Sequence, residues 1–207
     1  MKRISLLAGL ACIFGSAMVS CGCDESKKDC DDTDTTAAVI ENIMTRKSIR
    51  QFTDREISRD TLDLIVKAGM AAPSARNVQP WAFVVVTDKE VLDSLNANHP
   101  YANLKTATAA IIVCGDATVD PEKGVNEYWV QDCSAVTENI LLAAHAYGLG
   151  AVWCGVYPNR ERIAPVKAIL GIPENYEPLN IITMGYPDEN PDVKDKWDPS
   201  KIHYQKW

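Results

Sequence analysis

The chain contains several stretches in which apolar residues recur at helical spacing. Apolar residues between Val39 and Met44 predict a short amphipathic helix over 37–45. A longer apolar stripe predicts a central core helix over 126–147, and Gly148 follows it where a left-handed C-cap is required. Three further helices are predicted: one capped by Ser58 that ends before Pro73, one opened by a capping box of Thr87 and Glu90, and one over 160–170.

Continuous apolar runs rich in β-branched residues predict two buried strands, over 81–86 and 109–114. Two further strands are predicted over 151–154 and 179–184. Helices and strands alternate, but the connections carry too many or too few helices for a regular βαβ winding. The pattern therefore predicts an α+β fold with a mixed sheet. Beyond Gly185 the chain is Pro-rich and charged, and we expect it to be extended.

Composition and charge exclude several classes of protein. The chain has 207 residues, 46% of them hydrophobic and 24% charged, which is typical of one globular domain. The formal net charge of −7 leaves no broad positive field that could bind nucleic-acid phosphates, so we expect no nucleic-acid partner.

The N-terminus has the pattern of an export signal. Lys2 and Arg3 precede an apolar stretch over 4–14, and small residues lead to a cleavage point before Cys21. This end of the signal resembles that of bacterial lipoproteins, with Met18 in place of the usual Leu. We therefore predict a signal peptide over 1–20 and lipidation of Cys21, which would anchor an exported protein to a membrane of the bacterial envelope. A soluble secreted or periplasmic protein is the alternative.

The residues after Cys21 are polar and acidic up to Thr36 and have no apolar face to bury. We predict a flexible tether over 21–36 and a folded domain over 37–207. The domain holds three cysteines, Cys114, Cys133 and Cys154, each in an apolar segment without paired spacing. They are predicted to be small buried residues rather than ligands of a metal or partners in disulfides.

Common catalytic motifs are missing from the sequence. There is no Gly-x-Ser-x-Gly, no His-Glu-x-x-His and no spaced pair of cysteines in the domain, so we predict neither a protein nucleophile nor a metal site. The glycines Gly148 and Gly150 follow a helix and precede a strand, which is the reverse of the order in a dinucleotide-binding fold.

Two polar segments remain as candidates. The first, which we call the basic segment, covers residues 46–50 and includes Arg46, Lys47, Ser48 and Arg50. Three cations and a hydroxyl in five residues favour binding of a phosphate or carboxylate. The alternative is a solvated helix end whose cations face the negative pole of the helix.

The second candidate, which we call the polar loop, covers residues 71–81 between a predicted helix and a predicted strand. Pro73 and Pro80 restrict its backbone, and Ser74, Asn77 and Gln79 offer both donors and acceptors. Such groups, held beside a core, suit the edge of a planar heterocycle. The alternative is an ordinary loop whose side chains satisfy its own backbone.

Both segments together resemble the FMN-dependent nitroreductase family. The resemblance rests on Thr-Arg-Lys-Ser-Ile-Arg-Gln-Phe at 45–52 and Ala-Pro-Ser-Ala-Arg-Asn-Val-Gln-Pro-Trp at 72–81. It continues through Glu-Asn-Ile-Leu-Leu-Ala-Ala at 138–144, Trp-Cys-Gly-Val at 153–156, Met-Gly-Tyr-Pro at 184–187 and the C-terminal residues 202–207. The resemblance covers the whole predicted domain.

The resemblance implies a site for FMN. Arg46, Lys47, Ser48 and Arg50 would hold the phosphate and ribityl chain, and Pro73, Ser74, Asn77 and Gln79 would contact the ribityl and the ring. Trp153, Cys154, Gly155 and Val156 would pass one side of the flavin. Lys206 would complete the phosphate clamp, a role for which Lys194, Lys196 and Lys201 compete.

The resemblance also implies an architecture and a reaction. The family fold is an α+β homodimer with a mixed, mainly antiparallel sheet flanked by helices, a flavin at each subunit interface and exchanged terminal segments. The activity would be ping-pong transfer of hydride from NAD(P)H through FMN to a nitroaromatic, a quinone or a related electron-poor acceptor, with no catalytic side chain. The alternative is a membrane-tethered flavin-binding electron carrier that turns over no small molecule. In either case Cys154 is predicted to be a packing residue and His145 a hydrogen-bonded one.

Overall fold

The structure is a computed structural model that describes residues 28–118 and 126–207. The predicted signal peptide, Cys21 and the first part of the predicted tether lie outside the described residues. The chain divides into two compact units, Met1–Ala37 and Ala38–Trp207, and every residue of the predicted flavin site belongs to the second unit.

The residues that the structure describes form five α-helices. They are α1 (Lys28–Thr45), α2 (Arg59–Met70), α3 (Lys89–Asn98), α4 (Trp129–Ala146) and α5 (Arg160–Leu170). Among the described residues, no helix has both the length and the apolar character needed to cross a membrane.

The helix boundaries differ from the predictions at three helices: α4 begins at Trp129 instead of Asn126, and α1 and α3 differ as follows. Helix α1 begins at Lys28 instead of Ala37, because apolar spacing marks only the turns that have an apolar side and the preceding turns are polar. Helix α3 is capped by Asp88 and not by the predicted Thr87. The Asp88 carboxylate accepts hydrogen bonds from the N–H groups of Glu90 and Val91 at 2.9 and 3.1 Å, which satisfies two donors of the first turn.

Four strands form one sheet in the order β1-β2-β4-β3. They are β1 (Trp81–Val86), β2 (Ala109–Asp116), β3 (Gly150–Gly155) and β4 (Tyr176–Gly185), and every neighbouring pair is antiparallel. A single parallel bridge from Ser48 to Ala151 extends the sheet beyond β3. This confirms the predicted α+β fold with a mixed, mainly antiparallel sheet.

The prediction that β1 is a buried strand is wrong. Strand β1 lies at the edge of the sheet, most of its residues are only half-buried, and Val85 is 40% exposed. An apolar run shows that a strand has two hydrophobic faces but not that it has two neighbours. Strand β2, which pairs on both sides, is buried along its whole length.

The sheet separates two layers of hydrophobic core. Successive side chains of a strand point to opposite faces, so Ile112 packs in the layer that contains residues of α3 and α5, and Ile111 in the layer that contains residues of α2 and α4. In the second layer Gly69 of α2 lies so close to α4 that a Cβ atom there would stand 2.7 Å from Cγ1 of Ile140. Helix α4 thus packs against the sheet, and both predicted site segments contact this helix.

Candidate functional site

The basic segment is fastened along the first half of β3. The backbone N–H of Ile49 donates to the carbonyl oxygen of Ala151 at 3.1 Å, next to the parallel bridge between Ser48 and Ala151. Gly150 permits this approach, since a Cβ atom at that position would lie 2.6 Å from Cγ2 of Ile49. The cations are therefore held at the edge of the sheet, beside the strand that leads to Gly155.

Arg46 is fixed by the middle of α4. Its Nε atom lies 3.2 Å from Oε1 of Glu138, and its side chain is only 19% exposed. About two turns further along α4, Oγ1 of Thr45 lies 3.0 Å from Nε2 of His145. Burial lowers the pKa of His145, and the nearby charges of Arg46 and Lys47 lower it further. Both effects favour the neutral imidazole, and the contact with Thr45 supplies the hydrogen bond that was predicted for His145.

The remaining groups of the basic segment meet the chain after β4. Nζ of Lys47 donates to Oδ1 of Asn190 at 2.6 Å. The backbone N–H groups of Arg50 and Gln51 both donate to Oε1 of Glu189, at 2.5 and 3.3 Å. Two adjacent N–H groups that hold a carboxylate oxygen mark a place where this segment can bind an anion.

Sequence reasoning missed Glu189 and Asn190. The chain reaches the basic segment through backbone contacts, in which Thr53 N–H donates to Tyr186 O and Asp188 N–H to Gln51 O, both at 2.9 Å. These contacts join residues more than a hundred positions apart, and no local pattern marks them.

The polar loop has an unusual backbone. Arg76, Asn77 and Gln79 have φ values of 51°, 56° and 53°, in the left-handed region that side chains seldom adopt. Ser74 Oγ accepts the N–H of Gln79 at 3.0 Å, and Nε2 of Gln79 donates to Oδ1 of Asn77 at 2.8 Å. Some of the side chains that were predicted to bind a ligand thus also form the hydrogen bonds within the loop that the alternative interpretation predicted. Pro73, Asn77 and Gln79 are exposed.

Asp132 of α4 anchors this loop and was also missed. Its Oδ1 atom accepts the N–H of Ala75 at 2.9 Å, and the residue is 95% buried as its exposed fraction is 5%. Its Oδ2 atom has no hydrogen-bond partner among the described residues. One signal was present in the sequence, since an acidic residue in the apolar stripe of α4 is costly to bury unless a hydrogen bond or an opposite charge compensates it.

The two candidate segments contact α4 at different heights. The polar loop is held at Asp132 and the basic segment at Glu138, six residues further along, which corresponds to about 9 Å of helix. Within one protomer the basic segment contacts α4, β3 and the chain after β4, whereas the polar loop bonds within itself, to the beginning of α4 and, through Pro80, to Asp116 of β2. The structure therefore gathers the basic segment and β3 at one place and leaves the polar loop in a separate set of contacts.

The end of β3 presents backbone rather than side chains. Cys154 and Val156 are buried, Trp153 is 37% exposed, and a Cβ atom at Gly155 would have no atom within 4 Å. Sγ of Cys154 donates to Ala102 O at 3.3 Å, and burial raises the pKa of the thiol. The interpretation of Cys154 as a packing residue is confirmed, so only its backbone can face a ligand.

Cys114 and Cys133 are also buried and free, as predicted, and burial raises the pKa of each to about 12. Lys206 is exposed, and its backbone N–H donates to Tyr204 O at 2.8 Å. Its competitor Lys201 lies 3.5 Å from Asp198. Within the protomer, the side chains that reach the basic segment from the C-terminal region are those of Glu189 and Asn190.

These groups fit FMN in their chemistry. The cations and the paired N–H groups of the basic segment suit a phosphate, and the open space at Gly155 lets a flat ring approach the backbone closely, since no side chain stands in the way.

Comparison with known proteins gives the same family. The model of the nitroreductase family matches residues 43–99 and 96–186. A protein of Methanothermobacter thermautotrophicus, provisionally named as an NADH dehydrogenase/NAD(P)H nitroreductase, is 47% identical over 170 residues, which are 82% of this chain and 87% of the relative.

Two solved structures extend the comparison. A protein of Bacteroides thetaiotaomicron with the same provisional name superposes with a TM-score of 0.77 at 45% identity, over 82% of this chain and 98% of the other. The NADPH:FMN oxidoreductase of Vibrio harveyi, complexed with NAD⁺, superposes with a TM-score of 0.72 at 32% identity, over 82% of this chain and 77% of the other. On the extent of these matches, the chain belongs to the nitroreductase family.

Proposed function

We propose that the protein is an FMN-dependent NAD(P)H oxidoreductase that reduces nitroaromatics, quinones or related electron-poor acceptors. The observation that carries the proposal is the attachment of the basic segment to β3, which sets three cations along the strand that ends at the open backbone of Gly155. The named activities of the relatives support it, because they combine a nicotinamide with a flavin or nitro compound.

The residues of the basic segment would hold the phosphate. Arg46 presents its guanidinium from a half-buried position fixed by Glu138, Lys47 and Arg50 add charge, and Ser48 adds a hydroxyl toward the ribityl chain. Glu189 and Asn190 would have to exchange their present contacts for solvent when the phosphate enters, since each now uses a donor of this segment.

The backbone of Trp153, Cys154, Gly155 and Val156 would lie against one side of the ring. Bound FMN supplies hydride transfer between a reduced nicotinamide and an acceptor. The protein's part is to seat the ring, to keep one face open for donor and acceptor in turn, and to place donors where reduction builds negative charge. No side chain needs to act as a nucleophile or a metal ligand.

We propose that the protein is a homodimer and that the polar loop of one subunit completes the site of the other. Pro73, Ser74, Asn77 and Gln79 lie outside the contacts of the basic segment in the protomer, so they reach a shared flavin only from the partner. Exposed apolar residues support a large interface. They are Val39, Ile40, Ile43 and Met44 on α1, and Trp197, Tyr204 and Trp207 near the C-terminus. Lys206 in the same tail would then reach the phosphate of the partner's site.

The first experiment is a flavin titration. The purified protein is expected to take up one FMN per subunit and to run as a dimer, with absorption bands of a bound flavin. NADH or NADPH should bleach the bands, and a nitroaromatic or quinone should restore them. A protein that binds FMN but is reduced by neither NADH nor NADPH would support the alternative, a tethered electron carrier. A colourless protein that does not bind FMN would refute the assignment of FMN as the cofactor.

We further propose that the protein is exported and anchored through Cys21, with a signal peptide over 1–20, a tether over 21–36 and the flavin domain over 37–207. The support is the order of basic, apolar and small residues before Cys21. A Cys21→Ser variant should move from the membrane pellet to the soluble fraction and lose incorporation of labelled fatty acid. The matched Cys23→Ser variant should keep both. If the unchanged protein is found in the soluble fraction to the same extent as the Cys21→Ser variant, a secreted or periplasmic form is indicated.

A further inference from the structure

The carbonyl oxygen of Gly155 accepts two hydrogen bonds from side chains. Nε2 of His99, at the end of α3, lies 3.1 Å from this oxygen, and Nη1 of Arg162, in the first turn of α5, donates to it at 3.0 Å. A carbonyl can only accept, so Nε2 of His99 carries a proton. His99 is 2% exposed.

The same peptide unit is also held from its other side. Its N–H belongs to Val156 and donates to the carbonyl oxygen of Leu179 at 3.0 Å. The peptide between Gly155 and Val156 is therefore fixed at both polar atoms. Gly155 has no side chain that could lock its orientation by packing, and the space at its Cβ position is open. Its direction depends on these hydrogen bonds.

Packing alone does not explain a histidine at this position. Nδ1 of His99 is buried and has no hydrogen-bond partner among the described residues, which makes the ring more costly to bury than an apolar side chain of similar size. The residue is nevertheless buried beside Leu95, whose carbonyl oxygen accepts the backbone N–H of His99 at 2.8 Å. The bond from Nε2 to Gly155 is the feature that an apolar side chain could not supply.

We propose that His99 is a positioning residue, with Arg162 as the second donor, and that it fixes the Gly155 peptide against the ring system of the flavin. The inference rests on the proposed function, because that function places the ring beside Gly155. A peptide that faces the flavin sets both how closely the ring is seated and which hydrogen-bonding group it meets, and these control the affinity for FMN and its reduction potential.

The test compares His99→Leu with His99→Gln, whose Nε2 amide can still donate. The leucine variant should raise the Kd for FMN about tenfold, as expected for one lost hydrogen bond to a fixed partner, and should shift the visible bands and the midpoint potential of the flavin. The glutamine variant should restore most of each quantity. Asn98→Ala is the matched control, since Asn98 is exposed and bonds only to Ser94 O among the described contacts.

Two further measurements keep the inference testable. If His99→Leu does not fold, Arg162→Met removes the other donor from a half-buried site and should shift the bands in the same direction. In the flavin-free protein, ¹⁵N shifts of the imidazole should show a proton at Nε2. A folded His99→Leu variant with unchanged Kd, bands and potential would overturn the inference, as would a ring protonated at Nδ1 alone. Failure of the unchanged protein to bind FMN would instead overturn the proposed function.

Discussion

Arg46 and Glu138 form an ion pair between the basic segment and the middle of α4, with 3.2 Å between Nε and Oε1. The arginine is mostly buried, whereas the carboxylate is about half exposed. The ion pair orients the guanidinium before a ligand binds. The Arg46 side chain therefore loses less conformational entropy on binding, which reduces the entropic cost.

Replacing Arg46 with alanine should therefore weaken FMN binding. Loss of one charge-assisted contact to a phosphate corresponds to a rise in Kd of about ten- to hundredfold. Quenching of flavin fluorescence measures the change. Arg59→Ala is the control, because Arg59 is a highly exposed arginine of α2 paired with Asp63 at 3.9 Å. Equal affinity of the Arg46 and Arg59 variants would exclude Arg46 from the phosphate site.

Asp132 should be needed for the stability of the polar loop. Asp132→Ala leaves the N–H of Ala75 without its acceptor in a mostly buried place, which costs about 1–3 kcal/mol. Asp132→Asn keeps an acceptor oxygen and should recover most of this free energy. Urea unfolding of the flavin-free variants gives both values. An alanine variant as stable as the original protein would show that the loop is held by other contacts.

Two glycines should respond to alanine in opposite ways. At Gly69 the new Cβ would meet the fully buried Ile140, so the cost of overpacking, about 1–3 kcal/mol, should exceed the gain of about 1 kcal/mol in helix propensity. At Gly155 the new methyl group enters open space, so stability should be unchanged while the Kd for FMN rises. Thermal unfolding and flavin titration of both variants separate the two effects. Normal FMN affinity of a folded Gly155→Ala variant would place the ring elsewhere.

The pKa of His145 predicts how stability changes with pH. Its folded value is lowered below the ordinary 6.5, mainly by burial and then by Arg46 and Lys47. The unfolded chain takes up this proton at a higher pH than the folded protein does, so the contribution to stability is complete above about pH 6.5 and is lost as the pH falls through the folded pKa. Between pH 7.5 and 5.5, unfolding free energies of the original protein should therefore fall more than those of His145→Gln. Parallel pH profiles would contradict this assignment.

The sequence predicted the elements well because their signals are local. Ser58 caps α2 through its contact with the N–H of Thr61, Gly148 adopts a φ of 71° after α4, and α5 has the predicted bounds. Each depends on neighbours within a turn or two, so a single sequence reveals it. The beginning of α1 lacked such a signal, and the edge position of β1 depends on strand order.

The candidate site was predicted only in part, for a related reason. The cations and polar residues of the two segments stand close together in the sequence, but Glu138, Glu189 and Asp132 reach them from distant positions. His99 gave no signal at all, because its role depends on the carbonyl oxygen of Gly155, 56 residues later. Backbone acceptors have no sequence signature, so side chains that bind them escape pattern analysis.

The order of the strands also has a consequence for how the protein folds. The central pairing joins β2 to β4, for example Ile112 to Ile181, although α4, β3 and α5 lie between them in the chain. Pairing residues so far apart in the sequence requires a long loop to close, and the chain loses this entropy before the contacts stabilise it. The high contact order should therefore make folding slow. Until β4 docks, β2 has only the edge strand β1 beside it, and the fully apolar centre of the sheet is open to association with other unfinished chains.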